Sequence, residues 1–237
     1  MKITELNQSD HCVYFFCPER SVSPAVYVFL YMGSAAVVLL TVCGNLLVII
    51  SVLHFKQLHT PTNMLILSLA VSDLLVGILL MPPTLIWTIE SCWIFGRGFC
   101  TGVWLIAGVL LTVSIYNVVL ISVDRYLALF IHKHSLYKND VQHGYMKLSE
   151  RKAAKVLGIL VSVFLVCLLP YFIYSLLGGI IELQLGIIQN VLIMLYLNST
   201  INPIVYALFY PWFRKSFQLV ITLHIFQTDS ALINVIS

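Results

Sequence analysis

Asp73 closes the stretch Leu69-Ala70-Val71-Ser72-Asp73, about half-way along an apolar run. A carboxylate in such a run is costly to keep and marks a functional site by default. Other apolar runs hold groups that could meet it. They are Asn45 after Gly44, Ser114 and Asn117, and Asn198, Ser199 and Thr200 ahead of Asn202-Pro203-Ile204-Val205-Tyr206. One carboxylate facing hydroxyls and amides suits a monovalent cation such as sodium. It also suits a protonated Asp within a hydrogen-bond network. The plainer reading is interhelical glue, worth about 0.6 kcal/mol per contact. For Asn45 and Ser114 alone the two readings weigh about equally; for Asp73 the ion or proton reading leads.

A second cluster is ionic. Asp124-Arg125-Tyr126 ends one apolar run, and Glu150 opens the approach to the next in Ser149-Glu150-Arg151-Lys152-Ala153-Ala154-Lys155. Arg125 could pair with Asp124 and reach Glu150, a lock between two helix ends. For a bare Asp-Arg pair, an interfacial anchor is the simpler account. Pro170 and Pro203 fall inside apolar runs, where each removes a backbone donor and loosens a helix. No His-Glu-x-x-His, Gly-x-Ser-x-Gly or paired intramembrane Asp occurs, and a lone Asp73 cannot act as both acid and base. An enzyme is not expected.

The elements that must position these groups are membrane helices. Hydrophobic residues make up 60% of the chain and charged residues 10%, with a mean hydropathy of +0.96. A soluble domain is about 45–50% apolar and about 25% charged. A crossing helix needs about 20 apolar residues. Five runs qualify: about 26–52, 63–87, 100–127, 155–177 and 187–209. The alternation of a membrane barrel is absent. The reading is therefore an all-α bundle of about five spans over residues 24–220. An outer tail (1–23), an inner linker (131–148), a short amphipathic helix (211–220) and an inner tail (221–237) complete it.

Of the 13 Lys and Arg, only Lys2, Arg20 and Arg97 fall on the side of the first tail. The positive-inside rule then places the N-terminus outside and the C-terminus in the cytoplasm. The net charge of +3 follows from that bias and does not point to nucleic acid. Residues 1–20 lack the apolar core of a cleavable signal. Asn7-Gln8-Ser9 is a glycosylation acceptor in the outer tail. Cys43 and Cys167 lie mid-span, whereas Cys12, Cys17, Cys92 and Cys100 fall on the side where disulfides persist. Their pairing is open, and Cys100 has Cys12, Cys17 and Cys92 as candidates.

Taken in order, Gly44-Asn45, Leu69-Ala70-Val71-Ser72-Asp73, Trp93 before Cys100, Asp124-Arg125-Tyr126, Cys167 with Pro170, and Asn202-Pro203-Ile204-Val205-Tyr206 resemble a rhodopsin-family (class A) G-protein-coupled receptor. Four further stretches are similar to trace amine-associated receptors, those of fish above all. They are Ser91-Cys92-Trp93-Ile94-Phe95-Gly96, Ser149 to Lys155, Asn198-Ser199-Thr200 and Phe209-Tyr210-Pro211-Trp212-Phe213-Arg214-Lys215. The resemblance implies a plasma-membrane receptor that binds small amines and signals through a heterotrimeric G protein. It implies a sodium site at Asp73, Ser114, Asn198 and Asn202, and no other cofactor or metal. It makes Asp124, Arg125, Tyr126, Glu150, Pro170, Pro203 and Tyr206 the coupling and switching residues. Trp104, Ala107, Tyr171, Phe172 and Tyr196 would line the ligand pocket. Phe213, Arg214 and Phe217 would lie on the inner face of the bilayer.

The chain departs from that family pattern in four places. Residues 131–148, "IHKHSLYKNDVQHGYMKL", stand where the family has its fourth and fifth spans, and are too short and polar to cross. Ala107 occupies the place of the family's amine-binding acid. The outer-loop cysteine that pairs with Cys100 belongs to the missing part. Leu168 replaces a tryptophan. The expectation is a shortened receptor impaired in ligand binding and open to pairing with full-length receptors. The alternative is a five-span channel or transporter using Asp73, for which the sequence shows no internal repeat.

Overall fold

A computed structural model describes residues 23–136, 143–177 and 185–222, and every regular element among them is helical. Side chains at Arg125, 128–136 and 143–157, with a few others, lie outside the described residues, as do residues 1–22, 137–142, 178–184 and 223–237. Helix α1 (Pro24–His54) opens with Pro24 in its first turn, where a missing N–H costs nothing. Phe55 ends it, and a 3-10 turn over Lys56–Leu58 leads on. Helix α2 (Pro61–Leu75) is capped by Thr60, whose Oγ1 accepts from the Asn63 N–H at 3.3 Å.

A π-turn over Val76–Leu80 joins α2 to α3 (Met81–Glu90), so that Pro61–Glu90 forms one span. Ser91, at φ 54°, ends it in the left-handed conformation. Helices α4 (Arg97–Leu136), α5 (His143–Leu177), α6 (Leu185–Phe209) and α7 (Pro211–Ile221) follow.

Pro24–His54, Pro61–Glu90, Arg97–Asp124 and Asn190–Phe209 are long and apolar enough to cross a membrane, and Val161–Tyr174 within α5 is a shorter apolar segment. The expected linker 131–148 is largely helix: it extends α4 to Leu136 and starts α5 at His143. Charge and polarity stop a segment from sitting in lipid but do not stop a helix. The hydropathy pattern therefore marks the bilayer edge and not the helix end.

Helix α1 packs on α2 and α6, α2 on α4, α4 on α5 and α5 on α6, which closes a ring. Two apolar clusters fill it. One lies at the Asp124 end, around Val52, Phe55, Leu58, Ile66, Ile121 and Tyr206, and α7 seats Trp212 and Phe213 in it. The other lies at the Glu90 end, around Leu80, Met81, Trp87, Trp93, Cys100 and Tyr196. Between them runs a layer of buried polar groups that includes Thr41, Asn45, Ser72, Asp73, Ser114, Asn117, Asn198, Ser199 and Asn202.

Candidate functional site

The polar layer is built on Asp73, which is fully buried. Ser199 Oγ donates to its Oδ1 and Asn202 Nδ2 to its Oδ2, both at 2.7 Å. Ser199 and Asn202 are three residues apart, so they share one face of α6. Pro203 follows Asn202 directly. The ring that breaks the local backbone ladder thus sits next to the side chain that holds the carboxylate.

Asn45 ties α1 to the same place. Its Nδ2 donates to the Thr41 carbonyl at 2.9 Å and to the Ser199 carbonyl at 3.1 Å. Thr41 and Thr200 hydroxyls lie 2.7 Å apart. The close approach of α1 and α6 depends on Gly44, where a Cβ would lie 2.7 Å from Pro203 Cβ. Ser72 donates back to the Leu69 carbonyl, and its hydroxyl lies 3.3 Å from that of Ser114 on α4.

Of the four expected ion ligands, Asp73 and Asn202 meet directly, and Ser114 joins through Ser72. Asn198 is buried with its Oδ1 unpartnered, as is Asn45 Oδ1. Ser199, one of the groups that could meet Asp73 but not one of the four expected ion ligands, holds the carboxylate directly. The i, i+3 spacing with Asn202 was the signal that could have found it. The donor set is oxygen-rich and carries one negative charge, which fits a hard monovalent cation and offers nothing to a transition metal. No group of three or more His, Cys, Asp or Glu that could hold a metal occurs among the described residues.

At the other end of α2, Thr62 Oγ1 donates to Asp124 Oδ2, which ties α2 to α4. This partner was not foreseen. The expected lock to Arg125 and Glu150 cannot be placed, since both side chains lie outside the described residues. Tyr206 is buried with its hydroxyl unpartnered, between Tyr210 and Phe213. Tyr126 is exposed, and Pro170 lies inside α5.

Among the expected pocket residues, Trp104, Ala107 and Tyr196 share a cavity with Thr84, Trp87 and Leu192. Its volume is about 10 Å³, near the minimum that holds one water. Thr84 and Tyr196 hydroxyls lie 3.2 Å apart across it. A second cavity of about 30 Å³ lies toward Ser114, Leu168, Asn198 and Ser199. Tyr171 and Phe172 line neither cavity, and Phe172 is exposed on α5. In a helix one residue's difference in register turns a side chain by about 100°, enough to move it from the interior to the lipid.

Cys92 and Cys100 are both buried and disulfide-bonded, while Cys43 and Cys167 are free. Trp93 packs against Trp87 and Phe99 and donates its indole N–H to the Gly96 carbonyl at 2.8 Å. The acceptor Asn7 and the candidate cysteines Cys12 and Cys17 lie outside the described residues.

A ring of apolar helices with a buried carboxylate clamp at mid-depth, and with polar contacts from Asp124 at one end, defines a multi-pass helical membrane protein of the receptor kind. The profile of the family described as "7 transmembrane receptor (rhodopsin family)" matches the chain in two stretches, residues 44–146 and 131–206, and the chain belongs to that family. Its curated relatives include trace amine-associated receptor 13c of Danio rerio, 32% identical, with 90% of this chain and 91% of that protein covered. Trace amine-associated receptor 6 of Homo sapiens is 30% identical, with 93% of each covered. Trace amine-associated receptor 1 of Homo sapiens is 30% identical, with 91% of this chain and 94% of that protein covered. The first alignment runs over 314 positions, whereas 90% of 237 residues is about 213, so about 100 positions of that relative face no residue here.

Proposed function

We propose that the chain is a shortened trace amine-type receptor whose interior amine pocket is closed, so that alone it does not respond to simple amines. The observation that carries this reading is the pair of small cavities that Ala107 borders. Their volumes are about 10 and 30 Å³, and no acidic residue lines either. Ligand pockets run to about 300–1,000 Å³. A protonated amine buried without a counter-charge costs several kcal/mol. The alignment gap and the two-stretch family match support an internal loss of the fourth and fifth spans. An even number of lost spans keeps the N-terminus outside and the C-terminus at the cytoplasmic face of the plasma membrane.

In this reading Arg125 remains the coupling residue for a heterotrimeric G protein, and pairing with a full-length receptor is the route by which the short chain would act. Asp73, with Ser114, Asn198, Asn202 and also Ser199, is the sodium site, and the chain carries no enzymatic activity. The channel alternative is weaker, because the matching family and the curated relatives are receptors. The test is a cyclic-AMP assay on cells with surface-expressed chain. No response to small amines is expected. A dose-dependent response that disappears in Arg125→Ala would overturn the reading and make the short form a working receptor.

A further inference from the structure

Within the span Arg97–Asp124, the exposed side of α4 carries the hydroxyls of Thr101, Thr112 and Tyr116. Thr101 Oγ1 donates to the Arg97 carbonyl at 3.2 Å and Thr112 Oγ1 to the Gly108 carbonyl at 2.8 Å, each one turn back on its own helix. The Tyr116 ring is too long and stiff for such a bond. It is 66% exposed, and among the described residues its hydroxyl has no partner.

The depth of Tyr116 makes this costly. It lies eight residues before Asp124, about 12 Å along the helix. Its neighbours Ser114 and Asn117 belong to the buried polar layer at mid-depth. Side chains of a helix lean toward its N-terminus, so the phenol of α4 is directed away from the nearer, Asp124 surface. The hydrocarbon there holds no water and offers no acceptor.

A second copy of the chain meets this need through geometry alone. Copies inserted in one direction hold Tyr116 at one depth. Where two like helices meet about a twofold axis along the membrane normal, a residue near the axis faces itself. A phenol is both donor and acceptor, so Tyr116 is its own complement. The helix surface allows the approach. Gly108, Thr112 and Tyr116 stand at intervals of four and are all exposed. Such a row, with small residues at two of its places, lies against its like in a right-handed crossing. A Cβ at Gly108 would meet nothing within 4 Å, so packing within the chain does not require the glycine.

We propose that α4 is a self-association surface, on which two copies of this chain pair through Gly108, Thr112 and Tyr116 with the two Tyr116 hydroxyls bonded to each other. The pairing goes beyond the receptor reading, because it needs neither an amine nor a G protein.

The test is energy transfer between purified chains that carry a donor or an acceptor fluorescent protein at the C-terminus, in phosphatidylcholine vesicles over a range of protein-to-lipid ratios. Wild-type chain is expected to show transfer above random proximity, linear in the acceptor fraction as a dimer requires. Tyr116→Phe removes only the hydroxyl and should weaken association about three- to tenfold, the range of one interhelical hydrogen bond in a membrane. Gly108→Leu, and Val109→Trp beside it, should hold the helices apart and abolish the specific transfer, with melting temperatures like that of wild type. Gly33→Leu on α1, where a Cβ also meets nothing within 4 Å, should change nothing. Random transfer in wild type would overturn the proposal and leave the face to lipid. So would an unchanged constant in Tyr116→Phe, or an equal loss in Gly33→Leu. Transfer to a full-length trace amine-associated receptor as strong as that to a second copy, and lost alike in Gly108→Leu, would overturn it by giving the face to that partner. None of these readouts depends on signalling, so the receptor reading and this one can fail separately.

Discussion

Asp73 takes both of its observed side-chain donors from a single helix. Ser199 and Asn202 stand one turn apart on α6 and hold one carboxylate oxygen each. The clamp therefore fixes α2 to α6, and the Ser72 and Ser114 hydroxyls lie in the same buried layer. Buried oxygens without partners at Asn45 and Asn198 belong to the same layer. A sodium ion would answer the charge and an orphaned oxygen together, since its attraction to a carboxylate in such surroundings far exceeds that in water. Asp73→Asn removes the charge and keeps the shape. The sodium-dependent rise in melting temperature expected of the purified chain should vanish in this variant. The check is a thermal melt in sodium against one in a large organic cation at equal ionic strength. An unchanged sodium shift in the mutant would remove Asp73 from any ion site. Asp73 with Asn202 was legible in the sequence, because charge and amide inside apolar runs stand out. The Thr62–Asp124 contact was not legible. A threonine at the start of a helix reads as an ordinary capping neighbour until the fold brings α4 beside it.

At the scale of elements, the seam between α1 and α6 rests on a missing side chain. A Cβ at Gly44 would lie 2.7 Å from Cβ and 2.9 Å from Cγ of Pro203, and a proline ring has no rotamer by which to move away. Gly44→Ala should push the two helices apart and strain the Asn45 bond to the Ser199 carbonyl. Overpacking of this kind costs about 1–3 kcal/mol. The expected result is a clear drop in melting temperature in detergent, with Gly33→Ala, where a Cβ meets nothing within 4 Å, as the unchanged control. Equal melting temperatures for the two variants would show that the seam yields. The Gly44-Asn45 pair was readable as a motif, and its reason appears only when Pro203 is placed against it. The π-turn at Val76–Leu80 left no sequence signal that hydropathy could detect, since all five residues are apolar or glycine. Hydropathy does not mark the ends of α4 and α5 for the opposite reason: polar residues beyond the expected spans continue both helices.

For the whole molecule, the question is what covers α4. In its apolar window only 22% of residues are buried, against 50% in the second span and 56% in the last. Leu105, Val109, Tyr116 and Val119 are exposed, at spacings of three, four and seven that place them along one stripe. In the proposed reading this is the stripe that the lost fourth and fifth spans would cover. Restoring an acid alone should therefore not restore a receptor. Ala107→Asp adds a counter-charge to a cavity of about 10 Å³ and leaves the stripe bare. The complete repair is to insert the fourth and fifth spans of a trace amine-associated receptor between Phe130 and Ser149. A tryptophan placed on the stripe by Val109→Trp reports the outcome. In the short chain its fluorescence should be quenched strongly by brominated lipids, because Val109 is 63% exposed. In the repaired chain the quenching should fall to a small fraction, since the inserted helices exclude lipid from that face. Equal quenching in both chains would mean that the inserted spans do not dock there. The short ring would then be an alternative packing of the bundle and not a receptor with two helices removed.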